Sequence, residues 1–404
     1  MYKVLLSAFA CDPTKGSEPG YGWNWALGLA NKGLEVHCIT RGIARTEIES
    51  RKKPAHLHFY YVVLPFGLES LYGRSTAGMY TYYILWQWFA WRKAKSISRK
   101  NKFNVAHHVT WGSSQMGSFM YKLGVPFVFG PAGGGQEAPA AFSKYFLNYW
   151  ADEEKRSRIS KILLRYNPAC RTMFRKAHTV IVSNPETMQM VKAAGAKNVQ
   201  VSLDASLPES FYPTHNIIKN PQNGRLNLLW TGRFLPRKGI LLLLDVMQKL
   251  KSYKQITLTV VGDGEMREPF LKTLQEYGLQ GTVFWKGKVP FDEIKGYYES
   301  QDVFFFTSLR DSCPPQCIEA MAYGMPVVTL NLHGQGFIVN DETGIRCNAD
   351  NPEIAIQELK EAILKLADDP ELVMEMSIAA SAFAAKQKWN EKINTIVEQY
   401  YPKA

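Results

Sequence analysis

Short apolar runs of strand length alternate along the chain with longer segments whose apolar residues recur at helical spacing, the pattern of parallel sheets covered on both faces. The runs predict strands over 4–9, 35–40, 58–63, 104–110, 125–130 and 179–183, then over 226–231, 257–262, 282–286, 303–307 and 326–330. Between the two sets lie Pro208, Pro213, Asn220, Pro221, Asn223 and Gly224, residues that break regular structure and favour turns. The pattern therefore predicts an α/β chain of two domains, 1–208 and 209–385, with a helical stretch over 386–404.

Each half opens in the same way. An apolar strand runs into a glycine-bearing loop, Gly16–Gly22 in one half and Gly232–Gly239 in the other, and each loop runs into a helix. Ligands of open α/β sheets bind outside the carboxyl ends of the strands, so function is expected where these two loops meet, in a cleft between two Rossmann-like domains.

Composition sharpens this picture. With 404 residues, 46% hydrophobic and 21% charged, the chain can bury large cores, which excludes disorder and coiled coils. The net charge of +12 is uneven: residues 1–205 carry 27 basic and 12 acidic side chains, against 21 and 24 in the rest. Six cysteines without a CxxC pair need not staple the fold, and a reducing cytoplasmic setting is expected. The run 4–10 reads as a buried strand rather than a signal core.

Residues 75–91 are rich in Tyr and Trp and carry no charge, and Arg92, Lys93, Lys95, Arg99, Lys100 and Lys102 follow. Such a stretch is short for a bilayer span and suits the headgroup interface, so 75–102 is a candidate for an anionic membrane surface. Packing of the aromatic helix on the first sheet is the equal alternative.

Candidate chemistry concentrates at the two loops and at Asp311–Glu319. Asp311 follows an apolar strand, Pro314 and Pro315 suit a helix start, and Glu319 falls one turn inside that helix. A helix opening there favours a phosphate, and a carboxylate one turn on can accept both hydroxyls of a ribose. Arg233 and Lys238 sit on a turn with glycine at both ends, where a guanidinium and an ammonium can hold a diphosphate and stabilise it as it departs. Gly262 permits a close ligand approach. No D-x-D pair and no spaced His/Cys cluster supplies metal ligands, so metal independence is expected. A nucleophile elbow, a Walker lysine loop and an RNA-binding aromatic pattern are absent from the sequence.

These residues together resemble the retaining, nucleotide-sugar-dependent glycosyltransferases of family 4, which have the GT-B fold. The resemblance covers nearly the whole chain and rests on the 16–25 segment, Asn104–Thr110, Gly130–Gly135, Thr231–Gly239, Val261–Gly264, Asp311 with Glu319 and Gly324, and Gly334 to Gly344. It implies that Gly232, Arg233, Lys238, Gly262, Gly287, Val289 and Glu319 bind the donor. It implies catalytic roles for Asp311, where the family more often has glutamate, and for Arg233 and Lys238. A histidine at the donor sugar is also implied; His107 and His108 both fit, and His108 is preferred. Gly16, Glu18, Gly20, Gly134 and Glu137 are the expected acceptor-side residues, and 386–404 is expected to cross back to the first domain.

The implied reaction moves a hexose from a nucleotide diphosphate sugar to an acceptor hydroxyl with no other cofactor and no nucleic-acid partner. A saccharide or lipid-linked saccharide at the inner membrane face is the expected acceptor. Two other readings are compatible with the sequence: a non-catalytic sugar-nucleotide binder or partner subunit, and a dinucleotide oxidoreductase, disfavoured because no G-x-G-x-x-G follows the first strand.

Overall fold

A computed structural model describes residues 1–221, 225–290 and 292–403; Asn223 and Gly224, two of the expected turn residues, lie outside the described residues. The chain forms two compact units. The first comprises 1–135, 159–206 and 389–404, and the second 136–158 and 207–388.

The first unit is built on strands β1 (Lys3–Ala8), β2 (Glu35–Arg41), β3 (Leu57–Val62), β4 (Val105–Thr110), β5 (Phe127–Ala132), β6 (Thr179–Val182) and β7 (Val199–Val201). They form one parallel sheet in the order β3-β2-β1-β4-β5-β6-β7. The second unit carries β8 (Leu226–Thr231), β9 (Ile256–Val261), β10 (Val283–Trp285), β11 (Val303–Phe306), β12 (Val327–Leu330) and β13 (Gly344–Cys347). Its parallel sheet has the order β10-β9-β8-β11-β12-β13. Both sheets thus reverse direction between their first and fourth strands, which opens a crevice at the carboxyl ends of β1 and β4 and, separately, of β8 and β11.

The central strands are nearly continuous in apolar residues because helices cover both faces of each sheet. The two strands not predicted from sequence, β7 and β13, lie at sheet edges, where half-exposed Gln200 and exposed Arg346 interrupt the apolar run. In the first unit, helix Trp389–Tyr400 packs Trp389 and Ile393 into the core formed by Trp25, Leu29 and Val36. In the second, Phe142, Tyr145 and Phe146 of the 136–158 segment join the core around Leu228, Trp230 and Leu243, and Tyr145 donates a 2.7 Å hydrogen bond to Asp245.

Helix Thr76–Ser98 buries Tyr82, Tyr83, Trp86, Ala90, Ala94 and Ile97 against the first sheet, with Phe9 edge-on to Tyr83 and Trp86. Ile84 and Trp88 remain exposed, and the Arg92 guanidinium lies 4.8 Å from the Trp88 ring. The internal packing accounts for one face of the aromatic stretch. No helix among the described residues is long and apolar enough to cross a membrane.

Candidate functional site

In the second unit, the loop after β8 is pinned to its neighbours through backbone. Phe234 N–H donates to Asp263 O at 2.9 Å, Gly262 N–H to Gly287 O at 2.8 Å, and Leu309 N–H to Arg237 O at 2.8 Å. The loop ends in a 3₁₀ turn, Pro236–Lys238, followed by Gly239 at φ +65°; a Cβ there would be strained and would collide with the Thr307 carbonyl. Gly262, at φ +140°, lies against the Gly232 carbonyl with no room for a side chain. The predicted donor glycines therefore form one interlocked set of loops at the carboxyl ends of β8 and β9.

The turn aims Lys238 inward. Its ammonium donates to Asp311 Oδ2 at 2.7 Å and lies 4.9 Å from the Phe306 ring centroid. Arg237 Nη1 donates to Asp311 Oδ1 at 2.6 Å and to the Arg310 carbonyl at 2.8 Å, and Ser308 Oγ donates to Asp311 Oδ2 at 2.6 Å. Burial opposes ionisation of Asp311, but the charges of Lys238 and Arg237 overcome it and hold the carboxyl well below the usual carboxylate range. Burial pulls the Lys238 amine down, partly offset by Asp311.

Glu319 lies one turn inside helix Pro315–Ala322, as its spacing predicts. Pro315 occupies the first helical position, where its missing N–H has no intrahelical partner to lose. Tyr298, from helix Ile294–Ser300, donates a 2.9 Å hydrogen bond to Glu319 Oε2 and shares another, 3.1 Å, with Thr231 at the end of β8. The other carboxylate oxygen has no hydrogen bond to a described residue. Burial raises the Glu319 pKa to about 6, against the hydrogen bond from Tyr298 and the charge of Lys238.

The second unit therefore brings Lys238, Asp311 and Glu319 together with the glycines of the β8 and β9 loops. Arg233 stands apart: its side chain is exposed and forms no ion pair with a described residue. Arg237 is the guanidinium that pairs with Asp311. Arg237, Tyr298 and Ser308 are the residues that reading missed; Arg237 alone carried a signal, as the residue before Lys238. Val289 is half-buried beyond Gly287, and Glu137 groups with this unit, its carbonyl accepting from His333 Nε2 at 2.8 Å.

In the first unit, Glu18 lies at the crevice of β1 and β4. Its carboxylate accepts the backbone N–H groups of Trp111 and Gly112, the latter at 3.1 Å, and burial raises its pKa against those two bonds. Gly16 caps the helix Ser17–Asn31, and Gly20 lies against the Lys15 carbonyl. The Gly134 carbonyl accepts from Thr187 Oγ1 at 2.9 Å. Trp111, unremarked in the sequence reading, holds φ +59° and stacks on Tyr83 with centroids 4.6 Å apart.

Both histidines of β4 are fully buried. His107 shares hydrogen bonds with Tyr401 at 2.8 Å and Gly130 O at 2.7 Å, and His108 with Ser7 Oγ at 2.9 Å and Tyr83 OH at 3.2 Å. Burial lowers their pKa values to about 4 and about 3. His108, expected at the donor sugar, thus has both ring nitrogens engaged within the core of its own unit.

Residues 214–383, the span that contains this cluster, match the family model described as glycosyl transferases group 1. The chain is 28% identical over 173 residues to an uncharacterized glycosyltransferase of Haemophilus influenzae, covering 42% of this chain and 46% of that one. It is 29% identical over 123 residues to the lipopolysaccharide core biosynthesis glycosyltransferase LpsE of Rhizobium meliloti, covering 30% and 35%. These matches span less than half the length of either relative. Over nearly its full length the fold is similar to that of Anabaena HepE solved with UDP, at a TM-score of 0.65 and 16% identity, covering 98% of this chain and 100% of that one. The fold is GT-B.

Proposed function

We propose that this chain is a retaining, metal-independent glycosyltransferase that moves a hexose from a nucleotide diphosphate sugar to an acceptor hydroxyl. One observation carries the reading: Lys238 and Arg237 converge on Asp311 at the carboxyl ends of β8 and β11, with Glu319 on the next helix. Lys238 and Arg237 are cations for the diphosphate, and Arg233 is exposed and uncommitted enough to join them. Glu319, steadied by Tyr298, offers its unpaired oxygen to the ribose hydroxyls. Asp311 faces the donor sugar and keeps the two cations in register. The leaving phosphate oxygen takes the acceptor proton, so no side chain acts as base. His108 positions Ser7 and Tyr83 rather than touching the sugar.

The first unit supplies the acceptor side through Gly16, Glu18, Gly20 and Gly134, and Glu137 lies at the edge of the donor unit. HepE, solved with UDP, supports a uridine diphosphate sugar as donor. The name of LpsE and the basic first half support a lipid-linked saccharide acceptor at an anionic surface reached by 75–102.

Incubation of the purified chain with UDP-, GDP- and ADP-hexoses tests this reading. One donor is expected to release its nucleoside diphosphate slowly, with the freed sugar first appearing in the donor's anomeric configuration and the rate unchanged by a chelator. Release of the inverted anomer, or of nothing from any donor, contradicts it.

A further inference from the structure

A second cluster lies at the opposite end of the first sheet, away from the strand ends that carry the proposed reaction. Glu35 opens β2, His37 follows two residues later on the same face, and His58 of β3 stands directly opposite His37 in the parallel register. One ligand atom from each of these three side chains lies within 4.8 Å of the others. His37 Nε2 is 3.1 Å from Glu35 Oε1, and its other nitrogen, Nδ1, shares a 3.0 Å hydrogen bond with Tyr60 OH. The His37 and His58 rings have centroids 4.8 Å apart.

We propose that Glu35, His37 and His58 form a binding site for a divalent transition-metal ion of the zinc class. Two imidazoles and a carboxylate are borderline ligands that suit such an ion, whose bonds of about 2.0–2.2 Å set tetrahedral ligand atoms roughly 3.3–3.6 Å apart. The widest separation in the cluster has to close by about 1.2–1.5 Å to reach that spacing. His37 is already oriented by Tyr60 on its far nitrogen, the arrangement that fixes the tautomer of metal-ligating histidines. In the metal-free chain His37 Nε2–H donates to the Glu35 carboxylate; an ion takes the other tautomer, in which Nδ1–H donates to Tyr60 OH and Nε2 presents its lone pair. Glu35 and His58 are only half-buried, which leaves the ion an entry path and a water in the fourth position.

Lys3 Nζ lies 2.9 Å from Glu35 Oε1 and is the competing cation. Its side chain is 31% exposed, so it can swing into water when an ion takes the carboxylate. The ion would tie β2 to the edge strand β3 and protect that edge. Its role is structural, and the proposal does not depend on the glycosyltransferase reading.

The test uses the full chain stripped of metal by a chelator, with Co²⁺ as a spectroscopic probe and Zn²⁺ as competitor. One equivalent of Co²⁺ is expected to give visible bands without thiolate charge transfer, and Zn²⁺ to displace it. Glu35→Gln and His58→Ala should each weaken binding at least tenfold while melting as wild type does in chelator. Lys3→Met should tighten binding. The proposal is overturned by failure to take up one equivalent, by undiminished binding in both variants, or by a thiolate-type spectrum that assigns the ion to the free cysteines.

Discussion

Lys238 Nζ and Asp311 Oδ2 stand 2.7 Å apart, with the two side chains only 6% and 12% exposed, and Arg237 closes on the other carboxylate oxygen. A buried carboxylate flanked by two cations is retained at a desolvation cost that hydrophobic residues would avoid, and this is common where charge serves a reaction. In the proposed mechanism, Asp311 neutralises in the free chain the same cations that meet the diphosphate in the complex.

Asp311→Asn separates these roles. Removing one partner of a buried pair should destabilise the free chain by about 3–5 kcal/mol in denaturant titration. With the competing carboxylate gone, nucleoside diphosphate should bind as tightly as in wild type or up to about tenfold tighter, while transfer falls at least about a hundredfold. Loss of nucleotide binding in a folded Asp311→Asn variant would contradict the division of labour.

Glu319 behaves in the opposite sense. Its folded pKa of about 6 lies above the unfolded value near 4.3, so its contribution to stability is present below pH 4.3 and lost as pH rises through 6. Above pH 7 the ionised carboxylate costs about 2 kcal/mol. Glu319→Gln should therefore raise the melting temperature at pH 7.5 while weakening donor binding about 10–100-fold, the worth of charge-assisted hydrogen bonds to a diol. Tyr298→Phe should weaken the donor less, and the wild-type affinity should rise with pH between 5 and 7. Calorimetry at several pH values checks all three.

The buried histidines make the first unit acid-sensitive. Their folded pKa values of about 4 and about 3 lie below the unfolded value near 6.5, so the stability tied to neutral rings is full above pH 6.5 and is lost as pH falls toward 4. At pH 5 each ring should cost about 2 kcal/mol relative to pH 7. Denaturant titrations at the two pH values measure the difference; equal stabilities would mean that the rings protonate freely in the fold.

The exposed basic side of helix Thr76–Ser98 predicts membrane association. Arg92, Lys93 and Lys95 changed together to glutamate should abolish sedimentation with anionic vesicles, because each basic residue near such a surface contributes about 1 kcal/mol. Donor hydrolysis should be unchanged. Equal sedimentation of variant and wild type would remove the surface from the account.

Much of this was legible in the chain because parallel strands buried on both faces are written as uninterrupted apolar runs, as in Val303–Phe306. Val199–Val201 and Gly344–Cys347 were not, since an edge strand of three or four residues with polar positions has no such signature. The spacing of Asp311 and Glu319 survives folding because one short loop and one helical turn set it. The choice between Arg233 and Arg237 does not follow from spacing: the 3₁₀ turn at Pro236–Lys238 points Arg237 at Asp311 and leaves Arg233 in solvent. Nothing local in the sequence pairs Tyr298 with Glu319, which come together only when β8, β11 and their helices pack. The aromatic stretch around Trp86 and Trp88 divides between two readings, because residues two apart on one helix face opposite sides, which places Trp86 in the core and Trp88 on the surface.

The most direct test of the central claim is calorimetric titration of UDP-glucose, with GDP- and ADP-glucose alongside, into wild type, Lys238→Met and Glu319→Gln. The account predicts one site with a clear nucleotide preference in wild type, at least a hundredfold weaker binding in Lys238→Met, and a 10–100-fold loss in Glu319→Gln that disappears when the sugar nucleotide is replaced by inorganic pyrophosphate. Equal affinity across the three proteins, with each folded by its melting profile, would contradict it.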